Sequence, residues 1–227
     1  MKHAIKIMAL LALSACLGIA CSSKEKPSVS TPEVASLKNA EQAETKLKND
    51  SAEAEKQKRE EAAKQFCEQF SVEDLLRLLH HAGEPEAEKS GMSFLFDDSV
   101  DDEEEEGLSY SVVAYGRNVE KGKKLDLGYQ IVSTSAHSCY FTLNVDTSTN
   151  PRLYFANQED ANHFFQRASR PKRFSYDGET YTIQKKAEPT CIDIMVPWVE
   201  DQLQTKYSIH PPKLENGFYE IWVEVYV

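Results

Sequence analysis

Residues 218–227, FYEIWVEVYV, decide the fold class of this chain. Alternate side chains of a β-strand point to opposite faces of a sheet, and the apolar residues of this stretch recur at every second position. The two predicted faces are Tyr219, Ile221, Val223, Val225 and Val227 on one side, and Phe218, Glu220, Trp222, Glu224 and Tyr226 on the other. We therefore predict a β-strand over these residues.

The same alternation occurs along residues 139–145, where Cys139 and Phe141 share one predicted face with the apolar residues that follow. Asp177-Gly178 separates two short apolar stretches, and this dipeptide is a strong signal for a two-residue hairpin. Further strands are predicted by composition and spacing at residues 92–96, 108–115, 128–135 and 191–196. The chain is thus rich in short strands.

Three helices are predicted among these strands. Ser71 is a typical N-cap and precedes two acidic residues, which favour the start of a helix. Asn157 occupies the same position before a second helix, and Pro197 is placed to open a third that runs to about Lys206. The apolar faces of the first two helices are Val72, Leu75, Leu76 and Leu79, and Ala161, Phe164, Phe165 and Ala168.

The order of these elements predicts an α+β fold. Connections between neighbouring strands are short, which favours a largely antiparallel sheet with about three helices packed on it over a parallel α/β fold. The helices near residues 72–82 and 158–168 each precede predicted strands. An internal duplication of a helix and its strands is one interpretation of this pattern, but the spacing differs and few residues match, which favours unrelated segments.

The N-terminus has the composition of an export signal. Lys2 and Lys6 precede an uncharged apolar stretch that ends in small residues and cysteines, as in secretory signal peptides. It resembles a bacterial lipoprotein signal, in which the cysteine after the cut is acylated. Gly18-Ile19-Ala20-Cys21 ends where the apolar character ends, whereas Leu13-Ser14-Ala15-Cys16 matches the family pattern at each position. Cys21 is therefore the expected lipidation site, with Cys16 as the alternative.

The predicted organisation has three parts. Residues 1–20 are the signal peptide, residues 21–65 a polar, Ala/Glu/Lys-rich tether that is partly helical or disordered, and residues 66–227 a single acidic α+β domain. Asn49-Asp50-Ser51 is expected to interrupt the helical part of the tether. Residues 66–227 hold 15 basic and 28 acidic residues, a net charge of −13. Such a field repels nucleic acid, so nucleic-acid binding is excluded from the predicted functions.

Three cysteines remain in the predicted domain. A disulfide between Cys139 and Cys191 is one interpretation, because the envelope is an oxidising compartment. The other is that Cys67, Cys139 and Cys191 are all small buried hydrophobic residues.

An acidic stretch, residues 97–106, has eight acids in ten residues. Carboxylate oxygens bind hard divalent cations, and Asp97, Asp98, Asp101 and Asp102 are weak candidate metal ligands. Repulsion between neighbouring carboxylates favours a solvated loop over a metal site in this stretch. Farther along the chain, residues 120–123 are predicted to form a turn.

Catalytic signatures are absent from the sequence. His80-His81 would point about 100° apart on a helix, and His137 with Cys139 is a weak match to a Cys–His pair. The sequence contains no phosphate loop, nucleophile elbow or zinc-binding motif. We predict no catalytic residues, no resident metal and no cofactor.

These observations predict a lipoprotein of the bacterial cell envelope, anchored to the outer membrane through its acylated N-terminus. Its expected function is non-catalytic binding or scaffolding with an envelope protein or polymer as partner. Phe218, Trp222 and Tyr226 share one strand face and are the candidate interface. The other interpretation is that this face lies under a helix or beside a partner. The alternatives are an envelope hydrolase whose site has no recognisable motif and a lipoprotein inhibitor or chaperone.

Overall fold

The computed structural model describes residues 33–102, 108–125, 128–144, 151–187, 190–199 and 202–226. The chain divides into two units, Met1–Lys48 and Asn49–Val227, and all side-chain contacts given below belong to the second. The helices are α1 (Glu33–Gln69), α2 (Val72–His80) and α3 (Gln158–Ala168), with a 3₁₀ helix at Pro85–Ser90. The strands are β1 (Ser93–Asp102), β2 (Leu108–Arg117), β3 (Val119–Lys124), β4 (Tyr129–Ser133), β5 (Cys139–Asn144), β6 (Arg152–Phe155), β7 (Lys172–Tyr176), β8 (Glu179–Lys186), β9 (Cys191–Pro197), β10 (Leu203–Ile209), β11 (Lys213–Glu215) and β12 (Phe218–Val225).

Most of the strands belong to one antiparallel sheet. Its order is β1-β2-β5-β6-β12-β10-β9-β8-β7, and β11 pairs with β12 beside this path. β3 and β4 form a separate two-stranded hairpin. The prediction of an α+β fold with a largely antiparallel sheet is confirmed.

The topology contains the same arrangement twice. Helix α2 precedes the meander β1-β2-β5-β6, and helix α3 precedes the meander β7-β8-β9-β10. The two meanders occupy opposite halves of the sheet, and β12 lies between their last strands. The internal duplication considered from the sequence stays a prediction.

The core lies on one face of the sheet, beneath the helices. Ile221 and Val223 of β12 are fully buried, whereas Trp222 between them is 39% exposed. The helices contribute apolar side chains to the same cluster, among them Leu75 of α2 and Phe164 of α3. The apolar face of the last strand is therefore the buried one.

Both short helices begin where the sequence indicates. The Ser71 hydroxyl accepts a hydrogen bond from the Asp74 backbone N–H, and the Asp74 carboxylate accepts one from the Ser71 N–H, which completes a capping box. The side chain of Asn157 accepts a hydrogen bond from the Asp160 N–H at 2.9 Å. These caps satisfy backbone donors that a helix leaves free in its first turn.

Two hairpins use left-handed backbone at both turn residues. Asp177 and Gly178, with φ of 48° and 78°, join β7 to β8 as predicted. Asn216 and Gly217, with φ of 49° and 83°, join β11 to β12 in the same way. Positive φ at both positions matches the twist of paired strands, and Asn-Gly is a strong signal for this turn. The second hairpin was detectable from the sequence but was not predicted.

The predicted third helix, from Pro197 to about Lys206, is wrong. Pro197 ends β9, the Trp198 N–H donates to the Gln202 carbonyl at 2.8 Å, and β10 then pairs with β9. Tyr207, Ser208 and Ile209 of β10 are all buried. Cross-strand pairing and burial thus override the local preference of proline for a helix start.

Two further segments predicted as irregular are strands. Residues 120–123, expected to be a turn, belong to β3, and Glu120 pairs with Val132 of β4. The first residues of the acidic stretch, Asp97–Asp102, extend β1 and pair with β2, whereas residues 103–107 lie outside the described part. Charged residues are tolerated in both strands because each belongs to a sheet edge or a separate hairpin, where one side meets water.

Helix α1 runs through the point where the sequence predicted an interruption. Asn49, Asp50 and Ser51 are all helical. Residues 50–59 are exposed, as expected of a stretch without large apolar side chains, and Ala63 is the first buried residue among those whose burial is described.

Candidate binding surface

The face of the sheet opposite the helices, here called the outer face, carries a group of aromatic and imidazole rings. It is built from the side chains that alternate with the buried residues of β5, β6 and β12, together with the residue that follows β10. We name this group the aromatic surface: Tyr140, Tyr154, His210, Phe218, Trp222 and Tyr226. Trp222 and Tyr226 are exposed and the other four are half-buried. Partly exposed aromatic groups are typical of interaction sites.

Tyr140 and Tyr154 are directly opposite each other in the pairing of β5 with β6. Their rings stack with centroids 4.2 Å apart and planes 10° apart. Phe218 packs its ring against Tyr140 edge-on, with centroids 5.0 Å apart. Three strands thus contribute to one continuous aromatic contact, and offset and edge-on pairs of this kind are favourable beyond their buried area.

An ion pair lies beside this stack. The Arg152 guanidinium donates to the Glu220 carboxylate at 3.1 Å, and Glu220 is directly opposite Tyr154 in the register. Burial raises the pKa of the Tyr154 hydroxyl, and the negative charge of Glu220 raises it further. Burial, with Tyr154 and Glu220 nearby, also raises the pKa of Tyr140. Both hydroxyls therefore stay protonated at neutral pH and can donate hydrogen bonds.

The second half of the aromatic surface is centred on Trp222. Its ring stacks on the imidazole of His210 with centroids 4.7 Å apart and planes 16° apart. The His210 Nε2 atom lies 3.4 Å from the Glu224 carboxylate, which also accepts a hydrogen bond from the Tyr226 hydroxyl at 2.8 Å. That hydrogen bond raises the pKa of Tyr226. Trp222 and Tyr226 are 39% and 42% exposed, so their rings are accessible.

The three residues predicted as an interface lie on the outer face. Phe218, Trp222 and Tyr226 follow one strand over about 26 Å, at about 3.3 Å per residue. Tyr140, Tyr154 and His210 widen the surface across neighbouring strands and were not predicted from the sequence. Alternation in residues 152–155 was the available signal, but a four-residue strand is too short to stand out.

The weak metal candidates do not converge on one point where their side chains are described. Asp97 accepts a hydrogen bond from the Ser111 hydroxyl at 2.7 Å. Asp98 accepts one from the Gly128 backbone N–H at 2.7 Å and lies 3.3 Å from the Lys124 amine. The Gly128 hydrogen bond, with help from Lys124, lowers the pKa of Asp98. Asp101 and Asp102 lie in β1, and the described residues contain no cluster of three potential metal-binding side chains.

A polar cluster that the sequence did not indicate joins the end of α2 to the second meander. His80 Nε2 lies 2.9 Å from the Tyr207 hydroxyl and 3.4 Å from that of Tyr181. Tyr181 donates to Glu179 at 2.5 Å, and Lys206 donates to the same carboxylate at 2.7 Å. Burial, and then the charge of Lys206, lowers the pKa of His80, whereas burial raises the pKa of Tyr207 to about 12. The cluster keeps His80 neutral and fixes its ring.

His137 is held by a buried carboxylate at the start of α3. Its Nδ1 atom lies 2.9 Å from Asp160, which is 1% exposed and also accepts a hydrogen bond from the Asn157 amide at 2.6 Å. The ring lines a groove of about 690 Å³ together with Ala136 and side chains of α1. The weak Cys–His pair is not favoured, because burial raises the pKa of the Cys139 thiol well above its ordinary value.

A disulfide between Cys139 and Cys191, one of the two interpretations of the sequence, does not fit the sheet topology. Both residues are free and buried. Three strands separate β5 from β9 in the sheet, which corresponds to about 19 Å at the usual spacing between strands, whereas bridged cysteines have Cα atoms within about 7 Å. The Cys191 thiol donates a hydrogen bond to the Asp193 carboxylate at 3.6 Å.

The candidate lipidation sites, Cys16 and Cys21, lie outside the described residues. No helix in the described part is long and apolar enough to cross a membrane. The sequence matches no protein-family model, and searches of curated proteins and of solved structures also found no match.

Proposed function

We propose that this chain is a lipid-anchored protein of a bacterial envelope whose folded part is a non-catalytic binding module. The leader sequence and its two cysteines support the anchor. The acyl chains expected on a bacterial lipoprotein would hold it stably, because each buried CH₂ group contributes about 0.8 kcal/mol. Residues 50–59 are exposed and helical, which is consistent with a spacer between the anchor and the binding module.

The observation that carries the binding function is the aromatic surface. Its rings come from separate strands and are organised by stacking before any ligand arrives. The opposite face of the same sheet is buried beneath helices, so the rigidity of the core supports the surface. A binding site on a rigid sheet loses little conformational entropy when its ligand binds.

The chemistry of the surface favours a glycan of the envelope as the ligand. Sugar rings have apolar C–H faces that pack on aromatic rings, and their hydroxyls exchange hydrogen bonds with carboxylates, guanidinium groups and phenols. The charges of Arg152 and Glu220 are paired with each other, and Glu224 is bonded to Tyr226. A surface of rings and internally paired charges suits an uncharged ligand, and the net charge of −13 over residues 66–227 disfavours polyanions.

A co-sedimentation experiment tests this proposal. Wild-type protein lacking the leader would be mixed with insoluble envelope glycan freed of protein and then centrifuged. The Trp222→Ala variant is expected to lose at least tenfold in affinity, because it removes the most central exposed ring. Trp198→Ala is the matched control, since Trp198 is 68% exposed but follows β9 and lies outside the aromatic surface.

The possible outcomes distinguish a wrong binding surface from a wrong ligand. Equal retention of wild type and Trp222→Ala would overturn the aromatic surface as the site. If wild type failed to sediment but captured an envelope protein in a Trp222-dependent way, the glycan assignment would be wrong and the surface would be a protein interface.

The anchor has its own test. Cells that express the chain with its leader would be fed an alkyne-labelled fatty acid. The label would be incorporated at the cysteine that becomes the N-terminus after cleavage. We expect Cys21→Ser to abolish labelling and Cys16→Ser to retain it. The reverse result would move the anchor to Cys16, and a wild-type chain without label would refute the lipoprotein assignment.

A further inference from the structure

The end of α3 and the turn that follows it form a basic segment in a strongly acidic domain. Residues 167–173, RASRPKR, hold four basic residues and no acidic one, whereas residues 66–227 have a net charge of −13. The Arg170 backbone N–H donates to the Arg167 carbonyl at 3.1 Å, and β7 begins two residues later at Lys172. This turn brings three of the four cationic side chains to one cavity.

The cavity has a volume of about 220 Å³ and lies between the start of α2 and the end of α3. Arg167, Arg170 and Lys172 line it together with apolar core residues of both helices. Glu73 is the one carboxylate among the described residues that line the cavity, and it forms an ion pair with Lys172. Of the three positive charges at the cavity, the lining residues therefore balance only one.

Arg167 is positioned by the backbone of α1 and of the residue that follows it. Its Nη2 atom donates to the carbonyls of Cys67 and Phe70, at 3.2 and 2.8 Å. Burial lowers the pKa of the Arg167 guanidinium, and the positive charge of Arg170 lowers it further, while Glu68 acts in the opposite direction from outside the cavity. The two guanidinium groups repel each other, and an anion between them would turn this repulsion into two attractions.

We propose that this cavity binds a phosphate group, which Arg167, Arg170 and Lys172 hold. A phosphate monoester has a charge of about −1.5 to −2 at neutral pH and presents three strong acceptor oxygens. The two unbalanced guanidinium groups match this charge, and each can donate a pair of hydrogen bonds to phosphate oxygens. A carboxylate would leave one of the two positive charges unbalanced. The start of α2 is not part of the proposed site, because Ser71 and Asp74 already cap that helix.

Titration calorimetry with inorganic phosphate at constant ionic strength tests the site on the chain without its leader. We expect Arg170→Gln to weaken binding by about tenfold, the effect of losing one charge-assisted hydrogen bond. Arg170 is exposed, so this substitution leaves the core intact. Arg173→Gln is the matched control and should bind as wild type does. Arg173 does not line the cavity, and alternation along β7 places it on the face opposite Lys172.

The comparison of these two variants decides whether the cavity is the site. Equal affinity of wild type and Arg170→Gln for phosphate would overturn the proposal. Equal weakening by Arg170→Gln and Arg173→Gln would also overturn it, because only the overall charge of the domain would then matter.

A third variant should strengthen binding, which a loss of folding cannot imitate. Glu73→Gln removes the carboxylate from the cavity and frees the Lys172 amine. It should therefore tighten phosphate binding by about three- to tenfold, since it converts a repulsive group into a neutral one. Unchanged or weaker binding by Glu73→Gln would overturn the assignment of Lys172 to the site.

Vesicle flotation distinguishes a lipid headgroup from a soluble phosphate. The chain without its leader would be mixed with phosphatidylcholine vesicles that contain or lack phosphatidate, whose headgroup is a phosphate monoester. Flotation that requires phosphatidate, and that Arg170→Gln but not Arg173→Gln abolishes, would identify a membrane lipid as the source of the phosphate. Calorimetric binding of phosphate without flotation would identify a soluble phosphate. Neither flotation nor calorimetric binding by wild type would overturn the proposal.

Discussion

Ile221 and Trp222 are consecutive residues of β12 that face opposite sides of the sheet. Ile221 is fully buried in the core, and Trp222 is 39% exposed on the aromatic surface. Their neighbouring positions allow the stability of the fold to be separated from the function of the surface by two single substitutions.

We expect Ile221→Ala to lower the free energy of unfolding by about 2–5 kcal/mol, because it leaves a cavity in a packed core. Trp222→Ala should cost about 1 kcal/mol, since it removes a partly exposed ring and its stacking on His210. Urea unfolding followed by far-UV circular dichroism measures both changes. Equal losses for the two variants would contradict the assignment of the two faces.

His80 makes stability depend on pH. Its pKa in the folded protein is lowered from 6.5, first by burial and then by Lys206, while Asp177 and Glu179 act in the opposite direction. Below pH 6.5 the unfolded chain therefore binds a proton at this residue that the folded chain resists. The contribution of His80 to stability is lost as the pH falls from 6.5 towards the folded pKa.

The His80→Gln variant isolates this effect. The difference in unfolding free energy between wild type and variant should change with pH below 6.5 by up to about 1.4 kcal/mol per pH unit, the limit for one proton. It should become constant as the pH rises towards 8, where the imidazole is almost entirely neutral in both states. Urea unfolding across this range measures it, and a difference that stays constant below pH 6.5 would contradict the burial of a neutral imidazole.

Among the elements, the hairpin of β7 and β8 and the end of the 3₁₀ helix both depend on a left-handed glycine. Gly178 and Gly91 have φ of 78° and 85°. A Cβ atom at Gly178 meets nothing within 4 Å, whereas one at Gly91 would lie 2.6 Å from the Phe66 ring. The two positions therefore separate backbone strain from steric overlap.

Gly178→Ala should lower the free energy of unfolding by about 1 kcal/mol, because an alanine in left-handed backbone is strained. Gly91→Ala should cost about 1–3 kcal/mol more, because the Phe66 ring must also move within its packing. Thermal unfolding of both variants provides the comparison. A larger loss for Gly178→Ala would show that the turn makes contacts beyond its own backbone geometry.

The elements that the sequence predicted well are those with local signals. Ser71 and Asn157 cap their helices with side-chain oxygens, and Asp177-Gly178 sets a two-residue turn. β10 was missed because its place depends on pairing with β9 and β12, which are distant from each other in sequence. A local preference for helix after Pro197 could not compete with pairing on both sides of that strand.

In the candidate site, too, residues on one strand were predictable from the sequence, whereas contacts between strands were not. Alternation along residues 218–227 placed Phe218, Trp222 and Tyr226 on one face. The stacking of Tyr140 on Tyr154 depends on the register of β5 with β6, and the contact of His210 with Trp222 depends on the course of the chain after β10. A single sequence specifies such contacts only through the completed topology.

Across the whole molecule, the repeated topology explains why the surface lies where it does. Each half of the sheet is a four-stranded meander preceded by a helix, and β12 is the strand that joins the two halves. Outward side chains of β12 therefore meet those of β6 on one side and the end of β10 on the other. The last strand both completes the core and centres the proposed binding site.

The limits of the folded unit predict where the chain can be shortened. Ala63, Cys67 and Phe70 are the first described residues that enter the core, and residues 50–59 are exposed. A protein of residues 49–227 should therefore unfold with the same free energy as one of residues 22–227, within about 0.5 kcal/mol. A third protein, residues 71–227, also lacks Phe70. The loss of this side chain alone should lower the free energy of unfolding by about 3–5 kcal/mol. Urea unfolding of the three proteins measures these differences, and marked destabilisation on removal of residues 22–48 would show that this segment supports the folded unit.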